Sequence, residues 1–338
     1  MNARADVLAL PVEHQPGEIG GGEPDDMIML QIVRSLVFAV FLLPPSGTLA
    51  QGPHGIIDAA TQANDLTFPI IPSKLSPGNP RMALLKPEGP GPFPALVLHH
   101  QCAGLGKKGM PNRSMATWSH AAVGQGFVVL IIDSLGPRNV DQVCFGPKGG
   151  VNFARGVRDA MQAATHLRTL AFVDETRIGH VGFSWGGMVA LLGGNRVWRF
   201  TLPGGSGFSA AVAIYPGCFT IRPHNAPSFE IVTNRIDRPT LVLMGGKDTE
   251  TPPDECVAKL HGARAAGAPV EWHIFSDATH CWDCAHLNGF SKNDWRGTPV
   301  VYRYNSAATK ETSRRIFEFL ARTWAAARFP SAVEKPRE

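Results

Sequence analysis

A serine with glycines two positions before and two positions after it is the strongest chemical signal in the sequence. Ser184 stands in Gly182-Phe-Ser-Trp-Gly186, where a predicted strand meets a predicted helix. A strand that turns sharply into a helix brings those flanking positions together, so only small side chains fit there. The turn would expose the hydroxyl beside free N–H groups at the helix start, which favour negative charge. This setting predicts a nucleophile at Ser184, although the five-residue pattern alone also fits a turn with an idle serine.

A serine hydroxyl is a weak nucleophile at neutral pH and needs a general base. Chains that carry the nucleophile on such a turn continue with an acid and then a histidine, each in a loop after a later strand. His280 meets that condition in Ser276-Asp-Ala-Thr-His280, after the sixth predicted strand, and is the expected base; His286 is the fallback. Four histidines at or within predicted strands are expected to pack or to support the site: His99, His100, His180 and His273.

The carboxylate expected to orient the histidine is Asp248, which follows the fifth predicted strand in Gly245-Gly-Lys-Asp248. A carboxylate there would hold the imidazole in one tautomer and stabilise its protonated form. Asp277, close to His280, and Glu250 are rivals for this role. An aspartate at this point could also serve as a turn or cap residue before the next predicted helix. Its position at a strand end favours Asp248.

Two backbone N–H groups are expected to bind the oxyanion that forms when a serine attacks a carbonyl group. One belongs to Trp185, directly after the nucleophile. The other comes from the loop after the first predicted strand, where Cys102 is the preferred donor and Gln101 or Ala103 are alternatives. This role uses the main chain, so the side chain of Cys102 need not take part in the chemistry.

All six cysteines follow residue 100, and an even number in an exported chain indicates disulfides: Cys102, Cys144, Cys218, Cys256, Cys281 and Cys284. Six cysteines allow 15 complete pairings, so counting alone does not choose among them. Cys281-Trp-Asp-Cys284, near His280 and His286, is a weak zinc or redox motif. Structural pairing is the preferred interpretation, and neither a metal nor a cofactor is expected.

Alternating strands and helices must position these residues. Apolar runs predict strands at 94–100, 127–132, 177–183, 210–215, 240–245 and 270–275. Helical spacing predicts helices at 118–123, 153–170, 185–192, 254–266 and 307–325. Continuous apolar strands separated by helices predict an α/β fold, with a mostly parallel central sheet and helices on both faces. Active sites of such sheets lie beyond the carboxyl ends of the strands. The long segments 195–209 and 285–306 are candidates for rim or lid loops.

Residues 1–50 are predicted to be a leader with a signal peptide. The apolar run LVFAVFLL at 36–43 is followed by helix-breaking residues and a small-residue cleavage sequence ending at Ala50. The true start could be Met27 or Met29, and an uncleaved N-terminal anchor is the alternative. We therefore expect an exported protein, periplasmic or secreted, with one catalytic domain at 51–328 and a disordered tail at 329–338.

The formal net charge of +4 becomes more positive without the leader, which holds two arginines against six acidic residues. The basic residues are scattered, with no run interleaved with aromatic residues, so nucleic-acid binding is not expected. No stretch after the leader is apolar for long enough to give a stable membrane span. The expected partner is a small-molecule substrate, and the oligomeric state stays open.

The chain from about residue 90 to 325 resembles the dienelactone hydrolase family of α/β-hydrolases. The resemblance depends on the order and spacing of six segments: LVLHHQCAGLG at 96–106, FVVLIIDSLGPR at 127–138, GHVGFSWGG at 179–187, AIYPGC at 213–218, LVLMGGKDTETPP at 241–253 and DATHCWD at 277–283. It implies a triad at Ser184, His280 and Asp248 that hydrolyses carboxylic esters or lactones through an acyl-enzyme intermediate, without metal or cofactor.

Two features depart from the namesake enzymes, which are cytosolic and use a cysteine nucleophile. Here the nucleophile position holds Ser184, behind an apparent export signal, as in an exported serine-nucleophile subgroup. That subgroup implies three cysteine pairs: Cys102 with Cys144, Cys218 with Cys256, and Cys281 with Cys284. The alternatives to an esterase are an acyltransferase or peptidase on the same triad, and a catalytically silent binding protein of the cell envelope.

Overall fold

The fold is known from a computed structural model that describes residues 81–107, 110–199, 207–224 and 226–328. The leader predicted at 1–50 and the tail predicted at 329–338 lie outside the described residues. Within the described part of the chain, seven strands form one sheet: β1 Arg81–Leu85, β2 Phe93–His99, β3 Val128–Asp133, β4 Val173–Phe183, β5 Ala210–Ile214, β6 Thr240–Gly245 and β7 Val270–Phe275.

The sheet has the strand order β1-β3-β2-β4-β5-β6-β7. Strand β1 pairs antiparallel with β3, and every other neighbouring pair is parallel. Since parallel strands end at the same edge, the loops after β4, β6 and β7 meet there. The predicted mostly parallel α/β sheet is confirmed. The edge strand β1 was not predicted, and β4 begins four residues before the predicted strand.

Among the described residues, five long helices cover the two faces of the sheet: α1 Arg113–Gly124, α2 Phe153–Arg168, α3 Trp185–Gly193, α4 Asp254–Ala265 and α5 Ser306–Arg328. Helices α2, α3 and α4 contribute to the apolar core on one face, and α1 and α5 to the core on the other. Strand β2 serves both, because Ala95 and Val97 belong to the first core whereas Leu96 and Leu98 belong to the second. The predicted helices on both faces are therefore confirmed.

The two long segments expected at the rim differ in structure. A short helix, Arg196–Arg199, opens the segment 195–209. The segment 285–306 starts with the 3-10 turn Ala285–Leu287 and continues as a hairpin in which Ser291–Asn293 pairs with Pro299–Val301. Among the helices that the structure describes, none combines the length and hydrophobicity needed to cross a membrane.

Candidate active site

Ser184 occupies the sharp turn between β4 and α3. Its backbone has a φ of 51° and a ψ of −114°, a conformation that non-glycine residues rarely adopt. The Ser184 N–H donates to the Ile214 carbonyl at 2.9 Å, which ties the turn to the end of β5. A Cβ atom on Gly186 would lie 2.3 Å from the carbonyl oxygen of His99, so only glycine allows α3 to start this close to β2. Local packing thus fixes the strained turn that presents the hydroxyl.

The structure brings Ser184, His280 and Asp248 together, although 96 and 32 residues of chain separate His280 from its two partners. The Nε2 atom of His280 lies 3.0 Å from Ser184 Oγ, and its Nδ1 atom lies 2.7 Å from Asp248 Oδ2. The carboxylate at Nδ1 selects the tautomer with its proton there, which leaves Nε2 as an acceptor facing the hydroxyl. Such an arrangement can take a proton from the serine.

Asp248 is fixed in the loop after β6 by its own backbone neighbours. Its Oδ1 atom accepts the N–H groups of Glu250 and Thr251, each at 2.9 Å. The Thr251 hydroxyl lies 2.8 Å from Oδ2 and donates to it. Asp248 is only 4% exposed and His280 only 2%. These bonds hold a buried carboxylate in one orientation toward the imidazole.

The rival residues take other positions than the ones expected of them. Asp277 is exposed and pairs with Lys247 at 2.6 Å, so it does not reach His280 as a hydrogen-bond partner. His286 lies exposed in the 3-10 turn after the site. Glu250 does lie beside the imidazole, but on the Nε2 side, with Oε2 3.8 Å from that atom. Asp248 is thus the carboxylate that meets Nδ1.

The charges around His280 increase its basicity. Burial by itself would lower the pKa of the imidazole, but the negative charges of Asp248 and Glu250 outweigh it, and the pKa is raised above its ordinary value. The three other buried histidines near the sheet edge behave differently. Burial lowers the pKa of His99 and His100, and lowers that of His180 to about 3, so all three are neutral.

The loop after β2 lies directly against the start of α3. The carbonyl of Gln101 accepts the Gly104 N–H at 3.0 Å and has the Nδ1 atom of His100 at 2.6 Å. The same His100 ring accepts the backbone N–H of Ser134 at its Nε2, so Nδ1 carries the proton. Two donors on one carbonyl fix the plane of the peptide group that ends in the N–H of Cys102.

A buried carboxylate that the sequence did not reveal lies behind the site. Asp283 accepts hydrogen bonds from Ser114 Oγ at 2.6 Å, Trp118 Nε1 at 2.7 Å and the Tyr215 hydroxyl at 2.8 Å. Within the sequence, Asp283 stands between two cysteines in a loop, where nothing distinguished it from a surface turn residue. Three donors on one buried anion make it the centre of a rigid polar network.

Tyr215 connects that network to the imidazole and to the loop after β2. Its ring centroid lies 4.7 Å from that of His280, and its hydroxyl accepts a hydrogen bond of 3.2 Å from Gln101 Nε2. Asn112, the N-cap of α1, donates in turn to Gln101 Oε1 at 2.7 Å. The sequence analysis missed Tyr215, and its position at the end of a predicted strand is the signal that could have found it.

All three expected cysteine pairs are disulfides in the structure: Cys102–Cys144, Cys218–Cys256 and Cys281–Cys284. The first bond holds the loop after β2, and the third lies directly after His280. Sulfur atoms of Cys281 and Cys284 lie within 4.8 Å of a carboxylate oxygen of Asp283, a distance that a metal site could have. Metals bind thiolates, however, and these two sulfurs are bonded to each other. The group therefore does not fit a metal ion.

Comparison with known proteins shows which family the sequence is similar to. The model of the dienelactone hydrolase family matches residues 81–324. A protein of Salmonella typhimurium that carries a provisional carboxymethylenebutenolidase name is 26% identical over 149 residues, which are 44% of this chain and 47% of that relative. The match thus spans about half the length of the curated relative.

Solved structures share the fold. A protein of Klebsiella pneumoniae, provisionally named a dienelactone hydrolase, superposes with a TM-score of 0.56 at 19% identity, covering 75% of this chain and 97% of the other. Esterase 2 of Thermogutta terrifontis with bound butyrate superposes with a TM-score of 0.54 at 17% identity, covering 75% and 94%. At these identities the superpositions show the fold alone.

Proposed function

Because the chain belongs to the dienelactone hydrolase family, we propose that it is a serine hydrolase that cleaves carboxylic esters or lactones. The observation that carries this proposal is the hydrogen-bonded series from Ser184 Oγ through the two nitrogens of His280 to Asp248 Oδ2. Its three members take the roles of nucleophile, general base and orienting acid.

In the first half of the reaction, Ser184 Oγ forms a bond to the carbonyl carbon of the substrate while its proton passes to His280 Nε2. The carbonyl π electrons move to oxygen, and Asp248 stabilises the imidazolium. When the tetrahedral intermediate collapses, the bond to the leaving oxygen breaks and that oxygen takes the proton from Nε2. The acyl group remains on Ser184 as an ester.

Water completes the second half. His280 Nε2 accepts a proton from water while the water oxygen attacks the acyl carbon. Collapse of this second intermediate breaks the bond to Ser184 Oγ, which recovers its proton from the imidazolium. The carboxylic acid leaves and the starting state of all three residues returns. No redox step and no further reactant is required.

The developing oxyanion is assigned to the N–H groups of Trp185 and Cys102. Trp185 is the first residue of α3, and the first N–H groups of a helix have no partner within it. Two hydrogen bonds to the Gln101 carbonyl hold the peptide plane that precedes Cys102. The disulfide between Cys102 and Cys144 holds the same loop from the other side. Donors fixed in advance stabilise charge without reorganisation during the reaction.

The substrate is proposed to be a small ester or lactone. Thermogutta terrifontis esterase 2, which shares the fold, is described with bound butyrate, and this makes short acyl chains the first to test. Three disulfides are typical of proteins from an oxidising environment. Together with the predicted signal peptide, they support the proposal that the protein acts outside the cytosol, in the periplasm or as a secreted enzyme.

The test compares the wild type with Ser184→Ala on p-nitrophenyl butyrate and with a fluorophosphonate probe. We expect Ser184→Ala to lose turnover and labelling while keeping its circular dichroism spectrum. Ser276→Ala, which removes an exposed serine shortly before His280, should keep both. Turnover that survives in Ser184→Ala defeats the assignment. A wild type that neither turns over esters nor labels would instead support the silent binding protein, and cleavage of amides or transfer to alcohols would support the peptidase or acyltransferase.

A further inference from the structure

Glu250 is a second carboxylate at the imidazole that the hydrolase mechanism above does not use. We propose that Glu250 is a positioning residue that stabilises the protonated form of His280 from the Nε2 side and so sets the pH range of catalysis. This inference rests on the proposed hydrolase function. It gives His280 two carboxylates, one at each ring nitrogen, where the mechanism needs one.

The geometry places the two acids on opposite edges of the ring. Asp248 Oδ2 lies 2.7 Å from Nδ1, whereas Glu250 Oε2 lies 3.8 Å from Nε2, the atom that also faces Ser184 Oγ at 3.0 Å. Both acids belong to one turn, in which the Glu250 N–H donates to Asp248 Oδ1. The proton that moves during the reaction therefore arrives at Nε2 within reach of a second negative charge.

Two donors from the rim segment 285–306 hold Glu250 in that position. Lys292 Nζ donates to Oε1 at 2.8 Å, and the Tyr302 hydroxyl donates to Oε2 at 2.8 Å. The Glu250 side chain is 12% exposed, so solvent screens it only in part. Burial alone would raise its pKa, but the positive charges of His280 and Lys292 outweigh that effect and the pKa is lowered. Glu250 is consequently ionised throughout the range in which His280 titrates.

Each charged group that faces His280 either raises or lowers the pKa of the imidazole. Asp248 and Glu250 favour the imidazolium, and Lys292 opposes it. Tyr302 and Tyr215 pack against the ring and stay neutral, because burial and the neighbouring carboxylates raise the pKa of both phenols well above the ordinary value. A carboxylate this close to an imidazolium favours the protonated form, and Lys292 stays in place when Glu250 is neutralised, so loss of the Glu250 charge should lower the His280 pKa.

The experiment measures kcat/KM for p-nitrophenyl butyrate against pH in three variants. The reaction needs neutral His280, so kcat/KM falls as the pH drops through the His280 pKa. Glu250→Gln removes the negative charge, and the acid limb should move to lower pH by about one unit. Lys292→Met removes the opposing charge while the Tyr302 hydroxyl still holds Glu250 Oε2 beside the ring, so it should move the same limb to higher pH. Asp277→Asn makes the same carboxylate-to-amide change at an exposed position and should leave the limb in place.

A second readout does not need turnover. In a Ser184→Ala background, the His280 pKa is followed by NMR of labelled histidine, with and without Glu250→Gln. The same downward shift is expected, whereas a merely structural role would lower kcat without moving this pKa. Inactivity of the wild type would defeat the proposed function and leave the NMR titration to decide the role of Glu250.

The inference is overturned if Glu250→Gln folds and moves the His280 pKa by less than about 0.3 unit, well below the shift that one neighbouring carboxylate produces. Should Glu250→Gln fail to fold, Lys292→Met decides the matter, because its acid limb must move upward. A limb that stays or moves downward in Lys292→Met overturns the inference equally.

Discussion

The position that a Cβ atom of Gly182 would take lies 1.9 Å from the carbonyl oxygen of Gly186. Real Cβ atoms do not approach a backbone oxygen so closely, so the strand end before Ser184 and the first turn of α3 are in contact only because residue 182 has no side chain. The same turn holds Ser184 at its positive φ of 51°.

Gly182→Ala should therefore lower the free energy of unfolding by about 3 kcal/mol or more, because backbone must move to admit the methyl group. Activity should fall even where the protein folds, since Ser184 Oγ would lose its 3.0 Å contact with His280. Gly262→Ala is the matched control: its Cβ meets nothing within 4 Å in helix α4, and alanine there should stabilise by up to about 1 kcal/mol. Chemical denaturation measures both. A Gly182→Ala protein with wild-type stability and turnover would contradict the turn geometry.

Replacing the acid at Nδ1 should cost far more activity than replacing its rival. Asp248→Asn removes the charge that stabilises the imidazolium and the acceptor that selects the tautomer, so kcat should fall on the order of a thousand-fold or more. Asp277→Asn should change kcat by less than about two-fold, because that carboxylate is exposed and bound to Lys247. Steady-state kinetics of the two variants decides between the residues. Equal losses would argue against Asp248 as the orienting acid.

The Tyr215 hydroxyl should contribute both to the free energy of unfolding and to kcat. In Tyr215→Phe the buried Asp283 loses one of its three donors and Gln101 loses an acceptor, which should cost about 1–3 kcal/mol of unfolding free energy. The loop that carries the Cys102 N–H would also lose a support, so kcat should decrease more than KM increases. Tyr304→Phe removes a hydroxyl from a side chain that is 42% exposed and should have neither effect. An unchanged kcat in Tyr215→Phe would show that the hydrogen-bond network around Asp283 does not contribute to catalysis.

Two disulfides that close similar lengths of chain should differ in their effect on catalysis. Cys102–Cys144 spans 42 residues and Cys218–Cys256 spans 38, so replacing either pair by serines should lower stability by about 4 kcal/mol in the chain-entropy model. Only the first pair holds the loop assigned to the oxyanion, and its loss should reduce kcat at temperatures where both variants remain folded. Thermal unfolding and kinetics of the two double variants test this. A larger kcat loss in the second variant would count against the oxyanion assignment.

Most strands of the sheet and the helices that pack on its two faces could be predicted from the sequence alone. Strand β6 has the predicted bounds, because its continuous apolar run is buried on both faces of the parallel sheet. Strand β7 also has the predicted bounds, although it lies at the edge of the sheet and is only partly buried. Strand β1 was missed, since an antiparallel edge strand of five residues has no comparable apolar signal. Helix α1 starts five residues before its predicted start, at an Asn112 cap that the apolar spacing did not reveal.

Residue types and chain order pointed to Ser184, Asp248 and His280, because a nucleophile turn and two later strand ends have local signatures. Their distances, the position of Glu250 beside Nε2, and the network of Asp283 and Tyr215 were decided only by the tertiary structure. A carboxylate two residues from Asp248 looks the same in sequence whichever ring nitrogen it faces. Orientation and burial depend on side chains brought from distant segments, such as Lys292 and Tyr302, whose contacts with Glu250 no local pattern encodes.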